Sequence, residues 1–259
     1  MSLLLELRRN VNDVRKFGPQ SLLRHVSRLS GGKVERLSMP GVGSVFVRRG
    51  ESDLDTFRQV FAYGEYDLGV AGVSERLKRR YDAILRDGKI PVIVDAGANV
   101  GAASLWYRQR YPRAAVVAVE PEPGNAAMLR RNVQGRDRII VMEAAIGPEA
   151  GFATVINEGQ GWAARTERAE SGTSMVTVDD ACAQVEGGEL FIAKIDIEGF
   201  EKDLFSSNLG WIDRAAMVII EPHDWMLPGQ QSSATFQRAM GSRDFELFIS
   251  GENLIYVRV

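Results

Sequence analysis

Four apolar runs in this 259-residue chain end in ionisable side chains. Val92-Ile93-Val94 runs into Asp95, Ala115 to Val119 into Glu120, Leu190 to Ile195 into Asp196, and Ala216 to Ile220 into Glu221. Such runs read as buried strands, and the carboxyl end of a strand in an open α/β sheet is where ligands bind. Asp95 opens the turn Asp95-Ala-Gly97-Ala-Asn99-Val-Gly101, after which a helix begins. The free N–H groups of a helix N-terminus make that turn a ligand cradle.

Spacing narrows the ligand. A dinucleotide site uses Gly-x-Gly-x-x-Gly, whose middle glycine admits a pyrophosphate. That glycine is missing here. Asp95 would repel a pyrophosphate and attract an ammonium or a sulfonium; S-adenosylmethionine carries both. Glu120, 25 positions after Asp95, is placed to accept hydrogen bonds from both ribose hydroxyls. Singly, Asp95 reads as well as a turn cap and Glu120 as a solvated strand end. Their order and separation favour the nucleoside. A nicotinamide oxidoreductase and a nucleotide-binding module without catalysis are the alternatives.

Methyl transfer from a sulfonium to a hydroxyl needs alignment and a base. Lys194, Asp196 and Glu198 alternate with period two, so they share one side if the strand stays extended. His223, in Glu221-Pro-His223-Asp224, is the better base, because imidazole titrates near neutrality. His223, Asp196 and Glu198 are therefore the catalytic candidates. Plainer readings stand beside them: a hydrogen-bonded structural histidine, and a salt-bridge cluster around Lys194. Asp196, Glu221 and His223 could also hold a divalent cation, but nothing demands it and no metal is expected. Glu221, Trp162 and Trp225 are expected to wall an acceptor pocket. Trp162 lies in a polar, glycine-containing stretch over 157–172, long enough for a lid.

These side chains need a frame. Strands at 92–94, 115–119 and 139–142 alternate with helices from Val100 to about Tyr111 and from Ala126 to Val133, which implies a parallel sheet covered on both faces. Shorter strands are expected at 152–156 and 175–178, and a closing hairpin at 245–250 and 254–257. Ahead of the sheet, residues 1–88 read as a cap, with residues 89–259 as the catalytic domain. The cap has two amphipathic N-terminal helices, a hairpin around Pro40 to Gly43, a helix opened by Ser52 with Asp55 as a capping pair, and another helix from Glu75 to Leu85. The N-terminal helices are read as packing on the domain or on a second copy, in preference to a membrane surface.

Net charge of −2 argues against a nucleic-acid binder. The single cysteine, Cys182, excludes an internal disulfide. No signal-peptide core and no transmembrane run is seen. A cytoplasmic protein with a small-molecule acceptor and no nucleic-acid or membrane partner is expected.

Together, Asp95 to Gly101, Glu120-Pro121-Glu-Pro123-Gly-Asn125 and Lys194-Ile-Asp196-Ile-Glu198-Gly199-Phe-Glu201 resemble the FkbM-type family of class I S-adenosylmethionine-dependent methyltransferases. Thr177-Val-Asp179-Asp180 and the stretch from Ser52 to Tyr66 resemble it too. The resemblance implies a Rossmann-like α/β sheet of seven strands with an antiparallel terminal hairpin. It also implies O-methylation of a sugar or natural product, with N- or carboxyl-methylation as the alternative. It puts Asp95 and Gly97 near the methionine part of the donor, Glu120 near its ribose and Ala144-Ala145 beside its adenine. The donor set is then Asp95, Gly97, Ala98, Asn99, Gly101, Glu120, Pro121, Asn125, Ala144, Ala145 and Asp196.

Overall fold

A computed structural model of the chain describes residues 34–157, 164–226 and 228–259. The expected N-terminal helices and Trp162 lie outside the described residues. The chain enters through an antiparallel hairpin, β1 (Val34–Met39) and β2 (Gly43–Arg48). A short helix, α1 (Asp53–Arg58), runs directly into a π-helical turn, Gln59–Tyr63, which ends at Gly64 with φ 70°. Helix α2 (Ala71–Arg86) completes the cap.

The main sheet begins with β3 (Ile90–Ala96), α3 (Ala102–Arg110), β4 (Ala115–Val119), α4 (Pro123–Val133) and β5 (Ile139–Met142). A smaller sheet follows, of β6 (Ala145–Ile146), β7 (Gly151–Asn157), β8 (Ala164–Ala169) and β9 (Thr173–Val176). The chain returns through α5 (Val178–Ala183), β10 (Gly188–Ile195), α6 (Glu201–Leu204), β11 (Met217–Ile220), α7 (Ala234–Gly241), β12 (Phe245–Ser250) and β13 (Asn253–Arg258).

The seven strands are ordered β12-β13-β11-β10-β3-β4-β5. Pairing is parallel from β11 to β5, and β13 alone runs against its neighbours. This is the expected seven-stranded α/β sheet with a terminal antiparallel hairpin. Alternate residues of each central strand serve opposite faces: Ile93 packs into one buried cluster, Val92 and Val94 into the other. Phe57 and Val45 of the cap share the first cluster with Ile93 and Tyr107, so cap and sheet bury one continuous surface.

Two expectations need correcting. Part of the predicted 157–172 loop is strand β8, which pairs antiparallel with β7 from Phe152 to Asn157. Its polar side chains hid it, because a strand of a small surface sheet does not need an apolar run. Ser52 makes no side-chain cap to α1; the carboxylate that organises this turn is Asp53, fully buried, which accepts from the Arg48 N–H at 2.7 Å and from its guanidinium.

Candidate active site

The order of strands reverses between β3 and β10, and their carboxyl ends form the switch point at which open α/β sheets bind ligands. Residues here touch because the backbones nearly do. A Cβ on Gly97, where φ is 73°, would lie 1.6 Å from the carbonyl oxygen of Asp196. Only glycine lets β10 pass this turn. Gly101, with φ 91°, meets Leu129 of α4 instead, its Cβ position lying 2.6 Å from that side chain. It brings α3 against α4 and lines neither of the two cavities described below, on whose walls the donor set is expected.

Asp95 departs further from expectation. Its side chain is fully buried, accepts from Ser104 Oγ at 2.6 Å and lies 3.5 Å from Lys194 Nζ. It borders neither of the cavities described below. Lys194 sits opposite it in the strand register, donates to the Gly97 carbonyl at 2.7 Å and to Asp196 at 3.1 Å. Burial opposes its charge, but Asp196 and Asp95 outweigh burial and hold the ammonium above its ordinary range. Asp95 is thus part of an internal ion pair beneath the turn, one layer below the ligand surface.

Glu120 ends β4 and is held by what the turn offers. Oε2 accepts from the Asn99 N–H at 2.8 Å, and Oε1 from the Glu122 N–H at 3.0 Å. Asn99 takes a left-handed conformation, φ 49°, to aim that N–H. Burial lifts the Glu120 carboxyl to about 7, against the pull of these two backbone bonds. Glu120 lines a slot with Pro121, Asn125, Ala144 and Ala145. Val119, Ile146, Ile197 and Phe200 complete its lining with apolar surface, the kind of wall against which a purine packs. Asn99 Oδ1, on a residue of the same wall, is buried without a hydrogen-bond partner. These groups fit an adenosine: an acceptor pair for ribose hydroxyls, an apolar base site and an unspent acceptor.

On the other side of the turn, β10 ends at Ile195 and the chain bends. Glu198 adopts φ 52° and Gly199 φ 93°. Asp196 stays beside Lys194, but Glu198 arrives through this turn and not by strand alternation, which corrects the period-two expectation. His223, beyond β11, is 1% exposed. Its Nδ1 lies 2.8 Å from Glu201 Oε1, and its Nε2 lies 3.5, 3.7 and 3.8 Å from carboxylate oxygens of Glu198, Asp196 and Glu221. Burial works against its charge, yet the Glu201 hydrogen bond and the surrounding carboxylates lift it to about 9. The ring therefore carries a proton at neutral pH and is a donor, which argues against the reading of His223 as the base. Burial, and then repulsion from Asp196, push Glu198 and Glu221 above the ordinary carboxylate range. Asp196, Glu221 and His223 also bring one ligand atom each within 4.8 Å of one another, a spacing a divalent cation could occupy.

A second cavity, a cleft of about 530 Å³, adjoins the slot. Ala98, expected on the donor side, belongs to this cleft, as do Glu221, His223 and Trp225. Gly97, Asn99, Asp196 and Glu198 line both cavities. Sequence reasoning missed Glu201, although it belongs to the quoted motif, because only the fold shows it buried behind His223. It also missed Tyr63, Glu65 and Tyr66 of the cleft wall; a π-helical turn leaves no periodic signature to find.

Residues 95–247 match the Methyltransferase FkbM domain. The chain is 24% identical over 182 residues to the 2-O-methyltransferase NoeI of Sinorhizobium fredii, covering 62% of this chain and 75% of that one. It is 43% identical over 54 residues to Methyltransferase sdnD of Sordaria araneosa, 21% of either chain, so it spans about a fifth of that relative's length. Among solved structures, magnesium protoporphyrin IX methyltransferase from Synechocystis, with bound SAM, aligns over 80% of this chain and 91% of that one, at 15% identity and a TM-score of 0.37.

Proposed function

This chain belongs to the FkbM methyltransferase family, and we propose that it binds S-adenosylmethionine in the slot and methylates a hydroxyl of a small molecule in the cleft. One observation carries the reading: Gly97, Asn99, Asp196 and Glu198 line both cavities, so two reactants bound in them meet at these residues. When bound, the donor supplies an electrophilic methyl group on a sulfonium, and the residues supply alignment. Glu120 holds the ribose and Ala144 and Ala145 flank the base. Asp196 and Glu198 face the junction, and one of them receives the proton of the attacking hydroxyl. Glu198 is favoured, because Asp196 is already engaged by Lys194; burial lifts the Glu198 carboxyl to about 8, so it accepts the proton in its ionised fraction, which grows as pH rises toward that value. His223, held by Glu201, steadies these carboxylates as a donor.

Oxygen as the acceptor atom is supported by the name of the NoeI relative, a 2-O-methyltransferase. The spacing of Asp196, Glu221 and His223 favours one second reading, in which a divalent cation binds the acceptor oxygen. EDTA treatment separates the two: lost turnover restored by Mg²⁺ selects the cation. The main reading is tested by calorimetry with S-adenosylmethionine against NAD, and by mass spectrometry of a small-molecule extract incubated with labelled methyl donor. NAD binding without donor binding overturns it.

A further inference from the structure

The slot and the cleft lie at the carboxyl ends of the parallel strands. A third cavity, of about 300 Å³, lies at the opposite edge of the same sheet. Ala215 and Ala216 lead into β11 there, and Val257 to Val259 close the antiparallel β13 beside them. Helix α2 adds Arg76, Leu77 and Arg80, with the two arginines one turn apart on a single face. No residue of this lining belongs to the slot or the cleft.

Two kinds of surface meet in this cavity. Leu77, Ala215, Ala216 and Val257 are buried and apolar. Arg76, Arg80, Arg214 and Arg258 supply guanidiniums, against one acidic side chain, Asp213, which Arg243 holds at 2.7 Å from outside the lining. With the carboxyl group of Val259 counted, guanidiniums still outnumber carboxylates by two to one. Their partners leave donors to spare. Arg76, Arg80 and Arg214 each meet one carboxylate through one Nη, on Glu246, Glu189 and Asp179, and none of those acids lines the cavity. A guanidinium carries five N–H donors, and ion pairs at the surface contribute little. Arg76 Nε is buried without a hydrogen-bond partner, a state that costs free energy until an acceptor arrives. Arg258 has no ion pair among the described residues. It donates to the carbonyls of Ala215 and Ile212 at 3.0 and 2.7 Å and lies over the Phe245 ring, so its position is fixed.

We infer that this cavity binds a phosphorylated small molecule, with the phosphate among the four arginines and the organic part on Leu77, Ala216 and Val257. Guanidinium forks match phosphate oxygens in pairs. A carboxylate brings two oxygens and one charge, whereas a phosphate monoester brings three oxygens and nearly two charges. Four guanidiniums therefore favour phosphate. The volume, at the small end of the roughly 300–1,000 Å³ of ligand pockets, leaves room for an organic group beyond the phosphate itself. The sheet stands between this site and the slot, so each is occupied without the other.

The test is calorimetry on the full chain with phenyl phosphate, inorganic phosphate and benzoate, each with and without S-adenosylhomocysteine. Phenyl phosphate binds about tenfold tighter than inorganic phosphate or benzoate, and S-adenosylhomocysteine changes its affinity by less than about twofold. Arg80→Ala and Arg214→Ala, both at half-exposed positions, each weaken phenyl phosphate by about tenfold. Arg130→Ala, at an exposed arginine away from the cavity, changes it by less than about twofold. Arg80→Lys, which keeps the charge and loses the fork, falls between the two. No binding of phenyl phosphate, benzoate binding as tightly, unchanged affinity in both Arg80→Ala and Arg214→Ala, or displacement by S-adenosylhomocysteine overturns the inference.

Discussion

The slot and the cleft share four residues yet are built on different principles. The slot is lined by a glycine turn, two alanines, a proline, the apolar side chains of Val119, Ile146, Ile197 and Phe200, and one buried glutamate held by two N–H groups. The cleft is made of long polar and aromatic side chains drawn from the cap, from two strand ends and from the closing hairpin. A donor common to a whole family can be met by backbone geometry, which tolerates little change. An acceptor that differs between members is met by side chains, which can be exchanged without disturbing the sheet.

The largest effect expected of any substitution falls on the slot side. Gly97→Ala forces a Cβ into the Asp196 carbonyl and a strained φ, and should cost about 3 kcal/mol or more of stability. Thermal unfolding at the wild-type temperature would break the claim that this turn is fixed by close approach. Next, Glu120→Ala should weaken S-adenosylmethionine by the loss of charged hydrogen bonds, about 1.5–3 kcal/mol each, read by calorimetry. Donor affinity equal to wild type would remove Glu120 from the ribose site.

The comparison sharpens at the junction. Glu198→Gln should slow turnover by about 10²-fold with donor affinity unchanged, and by more than His223→Gln does. The reverse order in single-turnover kinetics would return the base to His223. The smallest effect is one of pH. Burial raises Glu120 to about 7, and ribose hydroxyls donate to its ionised form. Donor affinity should therefore hold above pH 7 and fall as pH drops through that value. The fall should vanish in Glu120→Gln. A flat profile in the wild-type protein would place the ribose elsewhere.

Much of the fold was legible without coordinates. The strands at 115–119, 139–142 and 245–250 were read to the residue: the first is a parallel strand buried on both faces, which leaves an unbroken apolar run, and the last is set off by the Gly251-Glu252-Asn253 turn of the closing hairpin. The turn after β3 was legible for a related reason, since a turn that must admit close backbone approach is written in glycines. Where the structure adds what the sequence did not show, the deciding partner is distant in sequence. Asp95 was taken for a ligand contact because nothing near it reveals Lys194, which occupies it from the next strand. His223 was taken for a base because its isolated pKa is neutral, whereas Glu201 and the carboxylates beyond it keep it protonated. Strand β8 was read as loop because its polar pattern carries no burial signal.

By itself the sequence determined the class of sheet, the family and the glutamate that ends β4, because each is a matter of local pattern: apolar runs, turn glycines and a motif read along the chain. The tertiary structure alone decided which carboxylates stay free, where the proton of His223 sits and that the cap forms half of the cleft. Those depend on burial and on charges brought within 4 Å of one another by chain segments far apart, and electrostatic energies at that range outweigh any residue's intrinsic preference.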